Sequence, residues 1–74
     1  SEQVPELSAY ARHSLRMGEY GKAQVAAGAA TKRAPDDQYA WALLGLAWRL
    51  LGDPREEWLN DYERHVLHVE AVPP

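Results

Sequence analysis

The chain has no cysteine and no phenylalanine. Without cysteine, neither a disulfide framework nor a thiolate metal site can hold it together, so packing must. No apolar run approaches the roughly 20 residues that span a bilayer. The first residues lack a basic stretch followed by an apolar one, so no signal peptide is expected, and the expected compartment is the cytoplasm. β-Branched residues are few, namely Val4, Val25, Thr31, Val66, Val69 and Val72, and no segment alternates with period two. Both observations argue against a sheet.

Catalytic signatures are also missing. There is no Gly-x-Ser-x-Gly elbow and no phosphate loop. Ser8 and Ser14 lie near His13 in sequence, but residues at such spacings do not face each other on a helix. His65 and His68 could share a metal with Asp61 or Glu70. Two imidazoles without a third firm ligand make a weak site, so exposed helix histidines are the preferred reading and no metal or other cofactor is expected. Residues 1–52 hold six Lys/Arg and five Asp/Glu, and residues 53–74 hold two and six. Neither part has the clustered cations that phosphate backbones require, which argues against nucleic acid as a partner.

What the chain does have is helix punctuation. Hydrophobic residues are 46% of the chain, enough for a core. Its 74 residues can bury only about 60% of the surface exposed on unfolding, so stability is marginal. Pro5, Gly18, Gly21, Pro35, Gly52, Pro54 and the pair Pro73-Pro74 divide it into four segments of helical length. The first, about 5–17, carries Leu7, Tyr10, Ala11, Ser14 and Leu15 on one stripe and stops at Gly18. The second, about 20–33, has Tyr20, Ala23, Ala27 and Ala30 on one face, so another helix can approach closely. The third, about 37–51, opens at Asp36 as N-cap and is apolar around most of its circumference, so cover on more than one side is expected. Asp53-Pro54-Arg55-Glu56 reads as the capping box of a fourth, about 54–68, with Trp58, Leu59, Tyr62 and Val66 on one face. Residues 69–74 read as a tail.

Gly18 and Gly52 stand 34 residues apart, and at the same offset Leu7 meets Trp41, Tyr10 meets Leu44 and Ala11 meets Gly45. Trp41-x-x-Leu44-Gly45-x-x-Trp48 resembles the opening helix of a tetratricopeptide repeat. Gly18-x-Tyr20-x-x-Ala23, followed by Ala27, Ala30 and Pro35, resembles the later part of the same repeat. The resemblance implies an all-α superhelix of two helical hairpins in a single domain, repeat 1 at about 4–37 and repeat 2 or a cap at about 38–68. Ala11, Gly45, Ala23 and Ala30 would mark close helix crossings, and Trp41, Leu44, Trp48 and Tyr20 would fill the spaces between hairpins.

The match breaks after Gly52. There the offset sets Glu57, Asp61 and Arg64 against Ala23, Ala27 and Ala30, and only a one-residue insertion brings Trp58, Tyr62 and His65 into those places. The fourth helix is therefore expected either to be displaced as a cap or to turn its aromatic face to something outside this chain.

The family's inner surface comes from the first helix of each hairpin. Here that implies Ser8, Arg12 and Arg16 from the first copy, and Tyr39, Ala42, Leu46, Arg49 and Leu50 from the second. Arg12, Arg16 and Arg49 around a groove would favour an acidic peptide. A solvated basic face is the competing reading. Trp58, Leu59 and Tyr62 form a second candidate interface, with a following domain or another copy, or else ordinary core. The expected function is thus non-catalytic protein–protein interaction, binding a peptide or docking to the parent protein. Self-association as a homodimer is a further reading. The string Trp58-Leu59-Asn60-Asp61-Tyr62-Glu63-Arg64 also resembles the segment where such repeats meet the catalytic domain of bacterial 2-oxoglutarate/iron(II) oxygenases. That would make the chain an accessory region of an enzyme whose catalytic domain lies downstream.

Overall fold

The computed structural model describes residues 3–55, 57 and 59–68, and the fold is all-α. Helix α1 runs Gln3–Arg16, α2 Tyr20–Arg33, α3 Gln38–Gly52 and α4 Asp61–His68. The turn after α1 is dictated by Gly18, whose φ of +78° is left-handed backbone that a Cβ disfavours. Gly18 N–H donates to the Leu15 carbonyl and Glu19 N–H to that of Ser14 at 2.8 Å, which is the Schellman pattern. Gly52 ends α3 differently: it is the last helical residue, and the extended Asp53 returns its N–H to the Arg49 carbonyl.

α2 lies between α1 and α3 and packs extensively on both. Its methyl-rich face makes this possible, with Ala23, Ala27 and Ala30 fully buried. Ala11 on α1 and Ala40 and Ala47 on α3 are equally inaccessible. Backbones therefore approach closely at alanines on all three helices. Gly45 takes no part, because it is exposed and a Cβ built there would meet nothing within 4 Å. Its place as a crossing residue is taken by Ala40 and Ala47.

Helix boundaries follow the expected ones closely until α3 ends. The N-cap of α3 is Asp37 rather than Asp36: its carboxylate accepts from Tyr39 N–H at 3.0 Å and Ala40 N–H at 3.3 Å. The last segment departs further. Residues 53–55 are not helical, and Asp53 caps the end of α3 while binding Arg55. The fourth helix starts only at Asp61, and its capping box is Asn60 with Glu63. Glu63 N–H donates to Asn60 Oδ1 at 2.8 Å, and Asn60 N–H donates to Glu63 Oε1 at 2.9 Å. The capping box expected at Asp53 and Glu56 does not form from Asp53, and Glu56 lies outside the described residues.

α4 is displaced from the place a second hairpin would give it. Its neighbours are α1 and α3 rather than α2. Leu59, Val66 and Leu67 join one core cluster with Leu15, Leu46 and Leu50.

Candidate interaction surfaces

The expected groove on α1 and α3 is the face that α4 covers. Leu46 and Leu50 are 2% and 1% exposed, inside the cluster that α4 completes, so neither presents itself to a ligand here. Tyr39 is partly buried against the same cluster. Ser8 is buried too, its Oγ without a hydrogen-bond partner among the described residues. For Leu46 and Leu50 the physical reason is that a displaced α4 brings Val66 and Leu67 into the same cluster.

Arg16 and Arg49 bind α4. Arg16 Nε donates to the Leu67 carbonyl at 2.7 Å. That carbonyl belongs to the last turn of α4, and the guanidinium also complements the negative end of the helix. Arg49 pairs with Glu63 at 2.6 Å. The same Glu63 oxygen accepts from the Asn60 backbone, so one carboxylate closes the helix N-terminus and ties it to α3. Arg12 is partly buried nearby in sequence on α1. An eight-residue helix is too short to persist alone in water, so these end contacts and the buried leucines are what keep α4 formed.

Of the second candidate interface, Leu59 is core at 3% exposure, Tyr62 is exposed, and Trp58 lies outside the described residues. No group of His, Asp or Glu able to hold a metal ion occurs among the described residues. No helix among them is long and apolar enough to cross a membrane.

The structure also reveals apolar surface the sequence pattern does not single out. Trp41 and Trp48, expected to be buried between hairpins, are 49% and 56% exposed, and Leu51 is exposed beside them. Trp41 Nε1–H donates to the Pro35 carbonyl at 2.8 Å, so its polar handle is satisfied and its ring is fixed over the α2–α3 turn. Trp41, Gly45 and Trp48 form one stripe of α3. At the 34-residue offset, the α1 positions Ala11 and Ser14 are buried, whereas Gly45 and Trp48 are exposed. A second apolar surface is a groove of about 560 Å³ lined by Leu7, Tyr10, Gly21, Val25 and Ala29. Val25 is 75% exposed in it, and Tyr10 is exposed rather than core. The signal for the first was in the sequence as the excess of apolar residues around α3 and the loss of small residues after Gly52.

No protein-family model, no curated protein and no solved structure matches this chain.

Proposed function

We propose that the chain is a non-catalytic interaction module of tetratricopeptide-like helical hairpins, and that its α1/α3 face holds short acidic amphipathic helical segments. The observation that supports this reading is the seating of α4. Its acidic Glu63 meets Arg49, its last-turn carbonyl at Leu67 meets Arg16, and its Val66 and Leu67 side chains enter the shared core. A segment of the chain itself thus occupies the face in the manner expected of a peptide from a partner or from the parent protein. Charged hydrogen bonds at both ends would set polarity and register, while the buried leucines supply most of the attraction.

Because α4 is tethered, it competes at an effective concentration in the millimolar range, so a free peptide must overcome it. The test is an amide-shift titration with a ten-residue acidic amphipathic peptide against wild type and Leu67→Ala. Wild type should respond weakly and Leu67→Ala more strongly, with shifts concentrated on α1 and α3. Adding Arg16→Gln and Arg49→Gln to Leu67→Ala should abolish the response. A titration that leaves α1 and α3 unmoved in all variants would remove the proposal.

A further inference from the structure

Glu63 performs two tasks with one oxygen. Its Oε1 accepts from the Asn60 backbone N–H at 2.9 Å and from Arg49 Nη1 at 2.6 Å. In return Glu63 N–H donates to Asn60 Oδ1 at 2.8 Å, which completes the reciprocal cap of α4. The Glu63 side chain is only 16% exposed, so little water is at hand to replace either donor.

The other contacts of α4 follow from where this acid stands. Val66 and Leu67 come three and four residues after Glu63, so all three share one helix face. That face carries the pair with Arg49 and the two side chains that cluster with Leu15, Leu46 and Leu50. Leu59, directly before the cap, joins the same cluster. Asp61, Tyr62, Arg64 and His65 are exposed, and Arg64 reaches back to the Glu57 carbonyl of its own segment.

A helix this short is unfolded when free, so a bound segment must gain its helix and its contacts together. Glu63 joins the two, because the bond that closes the helix and the bond that fastens it to α3 meet on one atom. An acid placed elsewhere on a segment would attract Arg49 without closing the helix. We infer, resting on the peptide-binding function proposed for this face, that it selects partner segments by how their helix begins. Such a segment has an apolar residue, then a capping residue such as Asn, then Glu three places after the cap. Apolar residues follow three and four places after that Glu. Net acidity alone is not enough.

The probe is a peptide copying residues 59–68, blocked at both ends and followed by amide shifts. It is titrated into the full chain carrying Asn60→Ala, which loosens α4 and leaves every core side chain in place. Leu67→Ala is a second background, and hydrogen-exchange protection of α1 to α3 shows that the face is intact in each. Within the peptide, Asn60→Ala should weaken binding roughly 2- to 30-fold. Glu63→Gln keeps a capping group and loses the charge, so it should weaken binding roughly 2- to 5-fold. Against chains that also carry Arg49→Gln, that last difference should vanish. Exchanging Glu63 with Arg64 preserves composition and charge, yet should weaken binding about tenfold or more. Tyr62→Ala should stay within about twofold of the copy. An exchanged peptide that binds as tightly as the copy would overturn the inference and leave peptide binding standing. A copy that binds neither background would overturn both.

Discussion

Two glycines of this chain should respond in opposite directions to the same substitution. Gly18 stands at φ +78° with no neighbour within 4 Å of an added Cβ, so Gly18→Ala meets backbone strain alone. The expected loss is about 1–2 kcal/mol. Gly45 lies inside α3 with equally open space, and Gly45→Ala should raise stability by roughly 0.5–1 kcal/mol. Urea denaturation of the pair reads both, and a stabilised Gly18→Ala would contradict the turn described. Gly18 was legible from the sequence, because a glycine between two apolar-periodic segments is a turn signal. The role of Gly45 was not: the repeat pattern assigned it to a helix crossing, and only the position of α4 leaves it facing outward.

At the scale of elements, α4 depends on its ends. Asn60→Ala removes the side-chain acceptor for Glu63 N–H and should cost about 0.5–2 kcal/mol. Hydrogen exchange should show the loss confined to α4, with α1 to α3 keeping their protection. The segment before it is sensitive to acid. Hydrogen bonding from the Arg55 side chain holds the Asp53 carboxyl below the ordinary carboxylate range, its backbone N–H and charge contributing and desolvation opposing in part. A depressed folded value means that the contribution is present above the unfolded pKa and is lost as pH falls through the folded one. An NMR titration of Asp53 should therefore show a low midpoint that rises in Arg55→Ala, and exposure keeps the effect on overall stability small. The first three helices were readable because caps, glycines and apolar spacing agreed. The fourth was misplaced because Asp53-Pro54 imitates a helix start, while Asp53 is engaged by α3 and Arg55.

For the whole molecule, the balance is narrow. A chain of 74 residues is expected to have roughly 4–11 kcal/mol of stability in total. Leu50 is 1% exposed in the cluster that joins α1, α3 and α4, and Leu50→Ala should cost about 2–5 kcal/mol. That is a large fraction of the total, so the denaturation midpoint should fall steeply. A near-neutral Leu50→Ala would mean that this residue faces solvent, as the ligand-facing role inferred from the repeat pattern required.

Local sequence alone determined that the chain is helical, where its first three helices lie, and that alanines let them approach. Those properties depend on spacing, capping and side-chain size over a few neighbouring residues. Which face of α3 would be covered was decided only by tertiary packing. α3 is apolar on both sides, and a last segment carrying Leu59, Val66 and Leu67 could be satisfied on either. Arg16 and Arg49, distant in sequence, bind the two ends of α4 to the inner side, and the tryptophans on the outer side stay in the open as a consequence.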